Sequence, residues 1–518
     1  MNGTISDSRG PVIDWLAGRG RFQRLGLAVV AGALMTAGHA PISIPWVWFL
    51  AMPVLVLQLF TAPTGRAAAW IGWGAAFGYF VTGLHWIGHA FLVEPDRFAW
   101  LLPLGIVALP IFFGLFWALA FWAVWHLHAR TSVGCAALLA VTLTLLEYAR
   151  GNLLTGLPWA LPGYIWADLP PMQAAAWIGP YGLTLVTLLV TGLTMLGFVD
   201  VKARALGASA LVAGNAIWIT SAIRLPDTVA YDPDAIVLRV VQPNAPQHLK
   251  WKPGHRDIYY QRMLEATARA PDARLGAPDI VIWPEAAVHF VVAATPGEVG
   301  RISAAAGDAW VILGALHGER TATGDRWSNA VVSIQPDGEL GPRYDKHHLV
   351  PFGEYLPMKP VFDALGLSQF AVRGGFTPGP GPQTLTLDSL PPFSPLICYE
   401  AIFPDEVVGD TRPAWLVQPT NDAWFGSWAG PRQHYVQARF RAVEQGLPLV
   451  RAANTGISAL IDPYGREVTA IGLHRFDHFD AMLPSPLPPT AYSRVGDWPA
   501  LIVALLGLLA GFAVRNRP

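Results

Sequence analysis

Three side chains in the polar half of the sequence, Glu285, Lys346 and Cys398, together have the chemistry of acyl transfer. A thiol is a nucleophile only as its thiolate, and a carboxylate whose pKa is raised by burial can take the thiol proton. A lysine ammonium can stabilise the thiolate and then the oxyanion of a tetrahedral intermediate. A glutamate, a lysine and a cysteine therefore form a complete set for acyl transfer that needs no histidine.

Two of the three residues follow runs that are typical of buried strands. Glu285 comes just after the strand-like run 279–283, and Cys398 directly follows the run 393–397. A helix is expected to begin within 401–408, which would put Cys398 at a strand-to-helix corner, where it can be presented to a substrate.

Each residue also has an ordinary structural interpretation when it is taken alone. Cys398 would be a small buried hydrophobe, because free cysteine is among the most buried residue types. Glu285 would be a structural ion-pair partner, and Lys346 next to Asp345 would be half of a solvated pair. The interpretation as a site depends on the three side chains converging.

Composition indicates that much of the chain does not face water. Of its 518 residues, 53% are hydrophobic and only 14% are charged, whereas soluble domains carry about 25% charged residues. The formal net charge of -1 gives no indication of a nucleic-acid partner. Cys135 lies in an apolar run and Cys398 in the polar half, so no disulfide is expected between them. An unpaired thiol in an exported domain is unusual unless it reacts.

Eight apolar runs predict an α-helical transmembrane bundle of about eight spans, since most approach the ~20 residues that a spanning helix needs. The first seven define a membrane domain over 1–224, and the eighth defines a C-terminal helix within 496–518. The runs are 24–40, 45–62, 67–92, 99–125, 132–149, 173–198, 205–222 and 499–514.

Basic residues in the short connections predict the orientation, because they are enriched on the cytoplasmic side. When the runs are counted alternately, one side receives Arg19, Arg21, Arg24, Arg66, Arg130, Lys202, Arg204, Arg515 and Arg517. The short connections of the other side receive Arg97 and Arg150. Both termini are therefore expected in the cytoplasm, with 225–495 on the periplasmic face of a bacterial inner membrane.

Residues 225–495 have the sequence pattern of an α/β layered domain, in which strands alternate with helices. A helix is predicted over 257–268 and another over 433–445, the second ending at Gly446. No glycine-rich phosphate loop and no metal-ligand cluster is evident in the sequence, and no metal or cofactor is predicted. The predicted strands are 236–241, 279–283, 310–313, 329–334 and 415–417.

Two pairs of polar residues within the apolar half have open interpretations. His85 and His89 lie one helical turn apart but lack a third metal ligand nearby, so interfacial histidines are favoured over a metal pair. Glu147 and Arg150 end the fifth run, where ionisable groups mark either a substrate path or an internal pair. Here an ion pair between them and a contact with lipid remain equal alternatives.

Several motifs extend over nearly the whole chain. They are GLPW at 156–159, QPN at 242–244, WPEAA at 283–287, YDKHHLVPFGEY at 344–355, PLICYE at 395–400, TNDAWFG at 420–426, QH at 433–434, Arg451 and NTG at 454–456. Together they resemble the motifs of the nitrilase superfamily, whose catalytic set is Glu, Lys and Cys, and within it those of the apolipoprotein N-acyltransferase family.

The resemblance implies a role for each catalytic residue and a fold for residues 225–495. Glu285 would be the base, Lys346 the oxyanion stabiliser and Cys398 the nucleophile of an αββα nitrilase-like domain. The same resemblance implies supporting or substrate-binding roles for Glu354, Tyr399, Glu400, Trp251 and Trp424. Position 157 is Leu where many relatives are expected to have Phe, which bears on lipid contacts more than on chemistry.

The resemblance also implies a two-step reaction between lipids. Cys398 would take an acyl chain from a membrane phospholipid as a thioester, and the α-amino group of a diacylglyceryl-cysteine apolipoprotein would then accept it. One alternative is a membrane-anchored amidase or nitrilase that hydrolyses a small amide with the same residues. A second is a transporter or sensor whose exported domain binds a ligand, which would make the Glu-Lys-Cys set coincidental.

Overall fold

The structure is a computed structural model that describes residues 11–127, 131–321, 324–364 and 375–515. Contacts between residues divide the chain into two compact units. One holds the described parts of 1–92, 96–225 and 495–518, and the other holds 93–95 and the described parts of 226–494. Of the basic residues that predict orientation, Arg130 and Arg517 lie outside the described residues.

The first unit is helical, and a helix lies at each of the eight predicted apolar runs. Four helices in the described part of the chain are long and apolar enough to cross a membrane, or five if Gly65–Gly83 and the bent continuation His85–Leu92 are one span. Val47–Phe60 and Trp498–Ala513 are apolar but shorter. The main helices are Arg21–Met35, Val47–Phe60, Gly65–Gly83, Leu102–His126, Ser132–Asn152, Ala175–Val199, Arg204–Arg224 and Trp498–Arg515.

Glycines let the helices Arg21–Met35 and Gly65–Gly83 approach each other closely. A Cβ atom at Gly32 would lie 1.9 Å from the carbonyl oxygen of Ala75, and one at Gly78 would lie 2.0 Å from that of Val29. Glycine is the residue that permits such backbone-to-backbone packing in apolar helices.

The polar pair at the end of the fifth run is an internal ion pair. Arg150 Nη2 lies 2.5 Å from Glu147 Oε2, and both side chains are buried. Trp117 donates from Nε1 to Glu147 Oε1 at 2.7 Å, and Arg150 donates to the carbonyl of Trp159 at 2.9 Å. Of the two alternatives for this pair, the structure contains the ion pair.

The second unit contains two mixed β-sheets with eleven strands in all among its described residues. The strands are β1 Val237–Gln242, β2 Ile280–Ile282, β3 Trp310–Thr321, β4 Gly324–Ile334, β5 Leu340–Asp345, β6 Phe393–Pro395, β7 Trp415–Thr420, β8 Leu449–Ala453, β9 Ser458–Ile461, β10 Glu467–Ile471 and β11 Asp477–Met482. The first sheet has the order β11-β1-β2-β3-β4-β5, and the second has the order β10-β9-β8-β7-β6. In the first sheet β1, β2 and β3 are parallel, and in the second β6, β7 and β8 are parallel.

Successive side chains of a strand point to opposite faces of its sheet. Each sheet therefore packs against the other sheet on one face and against helices on the other, which gives four layers. Val240 and Val417 belong to a core shared by the two sheets. Val241 packs instead with helices Arg256–Thr267 and Pro296–Ala306, and Leu416 packs with helix Ala429–Gln445. The order is helix, sheet, sheet, helix, as the predicted αββα sandwich requires. The shorter helices of this unit are Gln247–Lys250, Lys359–Ala364 and Ala491–Val495.

Most predicted elements of this unit are present, with one error beside the thiol. The helix predicted over 433–445 runs from Ala429 to Gln445 and ends at Gly446, whose φ of 64° is the left-handed cap. The helix expected to begin within 401–408 is absent there, and a short 3-10 helix, Cys398–Ile402, takes its place. Pro404 explains the error, because a proline disfavours helical backbone in the preceding residue. Phe403 is extended, with φ -91° and ψ 111°.

Candidate active site

Glu285 is carried by the chain that leaves the end of β2, and its side chain is buried. The next residue, Ala286, has a φ of 47°, a left-handed conformation that non-glycine residues seldom adopt. The Glu285 backbone also runs against β3, where a Cβ atom at Gly314 would lie 2.5 Å from the Glu285 Cα. Gly314 therefore permits the close approach that fixes Glu285 at the edge of the sheet.

Lys346 directly follows β5 and is 1% exposed. Its ammonium lies 2.9 Å from Glu354 Oε2, 3.0 Å from Glu354 Oε1 and 3.8 Å from Glu285 Oε1. The Lys346 backbone is held as well, because its N–H donates to the carbonyl of Asn329 at 2.8 Å. A buried ammonium is thus placed between two carboxylates.

Asn329, a residue of β4, bridges the same two carboxylates. Its side-chain amide nitrogen lies 2.7 Å from Glu285 Oε1 and 2.9 Å from Glu354 Oε1, and donates to both. Glu354 also accepts from the backbone N–H of Val350 at 2.8 Å. Hydrogen bonds from the amide and the ammonium therefore fix Glu285 and Glu354 relative to each other.

Cys398 lies directly after the strand-like segment that contains β6, in a backbone conformation that carries strain. Its φ is 50°, and a non-glycine residue in such a conformation costs on the order of 1–3 kcal/mol. The side-chain amide of Gln418 holds this turn, because its Nε2 donates to the Cys398 carbonyl oxygen at 3.2 Å and to His434 Nε2 at 3.1 Å. The turn that presents the thiol is therefore fixed through the backbone of Cys398 itself.

Gln418 and His434 belong to a fully buried polar network that also contains Asp422 and Arg451. Asp422 Oδ2 lies 2.6 Å from Arg451 Nη2, and Asp422 Oδ1 lies 2.9 Å from His434 Nδ1. Arg451 Nη1 donates to Gln418 Oε1 at 2.5 Å, which leaves the amide nitrogen of Gln418 facing the Cys398 carbonyl. The carboxylate accepts only, so His434 carries a proton on Nδ1. Gln418 lies on β7, Arg451 on β8 and His434 on helix Ala429–Gln445, and Asp422 begins the short 3-10 helix Asp422–Trp424 that follows β7.

The charges at the site act on one another. Burial raises the pKa of the Glu285 carboxyl above its usual range, although the ammonium of Lys346 opposes the shift. Burial and Glu285 raise the pKa of the Cys398 thiol, and Lys346 opposes that shift too. Burial alone would lower the pKa of Lys346, but the carboxylates of Glu354 and Glu285 outweigh it and raise the pKa. In the resting site these shifts favour a neutral Cys398 thiol and a charged Lys346, and they make the Glu285 carboxylate a better proton acceptor.

Glu400 ties the thiol segment to the lysine segment. Its fully buried carboxylate accepts from the backbone N–H of Ile397 at 2.6 Å and from that of His347 at 2.8 Å. It also accepts from the Tyr344 hydroxyl at 2.7 Å. One side chain therefore joins the residues on either side of Lys346 to the residue before Cys398.

A second link between the same segments passes through the histidines after Lys346. His347 Nε2 lies 3.1 Å from Glu406 Oε2, and His348 Nδ1 lies 2.7 Å from the same oxygen. The Tyr399 ring is buried and packs edge-on against His348, with ring centroids 5.7 Å apart. Tyr399 and Glu400 therefore shape the turn around the thiol.

The two tryptophans expected to support the site are half-exposed. Trp251 is 42% exposed and stacks beneath the ammonium of Lys250, whose Nζ lies 5.1 Å from the ring centroid. Trp424 is 40% exposed and ends the short 3-10 helix Asp422–Trp424. Within the described ranges, neither has a hydrogen bond to Glu285, Lys346 or Cys398. A supporting role for them remains a prediction.

One group of side chains in the described part of the chain has the spacing of metal ligands. The ligand atoms of Cys398, Asp422 and His434 lie within 4.8 Å of one another. The guanidinium of Arg451, 2.6 Å from Asp422, already occupies and neutralises that carboxylate. His434 donates its Nδ1 proton to the same carboxylate, so this donor set does not fit a cation.

Sequence reasoning missed the roles of Asn329, Gln418 and the network around Asp422. The sequence places Asn329 in a strand, and nothing in a strand sequence distinguishes a structural amide from one that bridges two carboxylates. Asp422, His434 and Arg451 belong to motifs that do not by themselves indicate a role. The signal that could have found them is a set of charged residues placed in otherwise apolar or buried stretches.

Comparison with known proteins identifies both units by sequence. Residues 31–193 match the family described as the apolipoprotein N-acyltransferase N-terminal domain, and residues 238–474 match the carbon-nitrogen hydrolase family. These two matched regions fall on the helical and the two-sheet units respectively.

Three proteins named apolipoprotein N-acyltransferase are similar over nearly the whole chain. That of Rhodopseudomonas palustris is 41% identical, and the match covers 96% of each chain. That of Bradyrhizobium diazoefficiens is 39% identical over 96% of this chain and 95% of its own. That of Brucella melitensis is 37% identical over 94% of this chain and 95% of its own.

The contacts of His347 with Glu400 and Glu406 make the stability of the fold depend on pH. Burial opposes the charge of His347, but Glu400 and Glu406 outweigh it and raise the pKa from 6.5 to about 9. A raised pKa means that the folded state binds the proton more tightly than the unfolded state. Protonated His347 therefore adds on the order of 3 kcal/mol to the free energy of unfolding. This stabilisation is complete below pH 6.5 and is lost as the pH rises through 9.

We expect the melting temperature of the detergent-solubilised protein to fall between pH 6.5 and 9 more steeply for the wild type than for His347→Gln. The exposed His255 supplies the control, and His255→Gln should keep the wild-type slope. Equal slopes for wild type and His347→Gln would show that the imidazolium does not hold the two segments together.

Proposed function

The chain belongs to the apolipoprotein N-acyltransferase family, and from this premise we propose that it carries a fatty acyl chain from a membrane phospholipid to the α-amino group of a diacylglyceryl-cysteine apolipoprotein. The product is a triacylated lipoprotein. The observation that carries the proposal is the buried pair of Lys346 and Glu285, whose lysine segment is joined by Glu400 to the turn that presents Cys398.

The first half-reaction makes a thioester. Glu285 takes the proton of Cys398 as Sγ attacks the ester carbonyl of the phospholipid, and Lys346 stabilises the oxyanion that forms. When this intermediate collapses, the bond to the glycerol oxygen breaks. Glu285 returns its proton to that oxygen, so a lysophospholipid leaves and the acyl chain remains on sulfur. The raised pKa of the thiol supports proton removal that is concerted with attack.

The second half-reaction makes the amide. The α-amino group of the acceptor attacks the thioester carbonyl, and Glu285 removes a proton from the amine. The carbon–sulfur bond then breaks, and the same proton returns to Cys398, which restores the starting enzyme. Splitting one difficult transfer into two steps is the benefit of covalent catalysis.

The remaining predicted site residues take supporting roles in this proposal. Glu354 holds Lys346 in place and opposes the loss of its charge, a role that its 2.9 Å contact supports. Glu400 and Tyr399 position the thiol turn, as their burial and contacts support. Trp251 and Trp424 would offer half-exposed rings to lipid chains, in keeping with the preference of tryptophan for membrane interfaces.

Hydrolysis of a small amide by the same three residues is the alternative, and the comparisons do not support it better. The relatives match the apolar half as well as the catalytic half, and all three carry the acyltransferase name. An amidase acting on a small soluble substrate has no use for the apolar helices of the first unit.

We also propose an inner-membrane location with about eight spans, both termini in the cytoplasm and residues 225–495 in the periplasm. The bias of basic residues and the long apolar helices support this arrangement.

A periplasm-dependent reporter fused into the turn at 336–338 should be active, and a cytoplasm-dependent reporter should be active when fused after residue 130. The reversed pattern would overturn the orientation.

The proposed chemistry is tested with purified protein, a phospholipid and a diacylglyceryl peptide with a free amine. Glu285→Gln removes the base and Lys346→Met removes the oxyanion stabiliser, so each should lower the rate of N-acylation. For the loss of a single oxyanion-stabilising group we expect a decrease on the order of 10²–10³-fold.

Arg326→Gln, a substitution at an exposed residue of β4, should leave the rate unchanged and serves as the control. Folding of each variant is checked by its melting temperature. A folded Glu285→Gln or Lys346→Met protein that acylates at the wild-type rate would remove that residue from the mechanism.

A further inference from the structure

A pocket beside the Glu285 backbone contains a buried lysine that the proposed mechanism does not use. Lys250 ends the helix Gln247–Lys250 and is 5% exposed. Its ammonium donates to the backbone carbonyl of Glu285 at 3.2 Å and stacks on the ring of Trp251. The residues that line the pocket include Lys250, Trp251, Arg256, Tyr259, Pro284 and His289.

The charge of Lys250 is poorly compensated within this pocket. Burial lowers the pKa of the ammonium to about 8, although the Glu285 carboxylate partly opposes the shift. Lys346, the other buried lysine of the site, lies within 3.0 Å of a carboxylate oxygen. By contrast, a carbonyl oxygen and an aromatic face are the contacts of Lys250 among the residues the structure describes. A buried cation of this kind gains stability when an anion binds to it.

A second cation stands on the same pocket. Arg256 lines it with a side chain that is 45% exposed, and the nearest carboxylate is that of the exposed Asp257, 3.9 Å away. Burial and Arg256 lower the pKa of His289, so this residue adds a neutral hydrogen-bonding ring and no charge at neutral pH. A lysine as a point charge beside an arginine with several donors is a combination that suits the oxygens of a phosphate group.

We propose that Lys250, Arg256 and Trp251 form a subsite for the phosphodiester of the phospholipid acyl donor. This inference rests on the proposed function and names the part of the donor that the enzyme recognises. Only the glycerol backbone separates the phosphodiester from the ester carbonyl that Cys398 attacks. The pocket is also lined by Pro284 and Ala287, the chain neighbours of Glu285, so a phosphate bound there lies next to the segment that carries the base.

The subsite predicts that the enzyme distinguishes acyl donors by the presence of a phosphate. The test compares phosphatidylethanolamine with the p-nitrophenyl ester of the same fatty acid, both in the same detergent micelles and with the full-length protein. Both donors give the same acyl-Cys398, but only the first has a phosphodiester. The rate of thioester formation is measured by intact mass.

Lys250→Met should lower kcat/KM for phosphatidylethanolamine roughly tenfold or more, the loss expected for a hydrogen bond to a charged group. It should leave the p-nitrophenyl ester within about twofold of the wild type, since that donor has no group for the subsite to hold. Lys252→Met is the matched control, an exposed lysine two residues along the chain, and should change neither donor. Inorganic phosphate should compete with phosphatidylethanolamine in the wild type and not in Lys250→Met.

Each other outcome has a distinct meaning. Equal losses with both donors would show that Lys250 only supports the Glu285 backbone, and no loss with either would show that the pocket is not used; both overturn the subsite. Slowing confined to aminolysis by the acceptor peptide would assign the pocket to the acceptor instead and overturn it equally. If the wild type forms no thioester from either donor, the proposed function fails, and the subsite fails with it.

Arg256→Gln keeps the proposal testable if Lys250→Met does not fold. This exposed side chain can be replaced without burying a new group, and its loss should also slow acylation from phosphatidylethanolamine alone. A folded Arg256→Gln protein with the wild-type rate for both donors would overturn the two-cation subsite.

Discussion

The ammonium of Lys346 is a charge taken out of water, and the arrangement of the site follows from what that burial requires. A buried cation is stable only when carboxylates and hydrogen bonds replace its hydration. Glu354 supplies the near carboxylate, and Asn329 holds Glu354 and Glu285 together with one amide group. Because Glu285 is kept away from water, its carboxyl group has the raised pKa that a base for a thiol needs, although the nearby cation opposes the shift.

The segment of Cys398 is fixed by different means. Cys398 holds a strained backbone, and the strain is sustained because the Gln418 amide donates to its carbonyl oxygen. Arg451 holds Gln418 in turn, and Asp422 holds both Arg451 and His434, so the network supports the turn that carries the sulfur. Glu400 then couples the turn to the segment of Lys346, which joins the two halves of the site into one rigid frame.

Much of this was open to prediction from the sequence, and the remainder was not for physical reasons. The positions of Glu285 and Cys398 after strands could be predicted because each follows an apolar run, but the sequence does not reveal that β2 and β6 belong to different sheets. Arg451 could not be connected with Asp422, because they meet only through the pairing of β7 with β8. The helix predicted beyond Cys398 failed because Pro404 outweighs the apolar spacing. The number of spans stays a prediction, since some of the helices are shorter than a bilayer requires.

The central claim, that Cys398 carries the acyl chain, is tested most directly by the intact mass of the protein after incubation with phospholipid and no acceptor. The account predicts a gain of one acyl chain that neutral hydroxylamine removes, because thioesters are labile to it and amides are not. The gain should be absent in Cys398→Ala and unchanged in Cys135→Ser, since the thiol of Cys135 is buried in the helix Ser132–Asn152. An adduct that persists in Cys398→Ala, or one lost in Cys135→Ser, would contradict it.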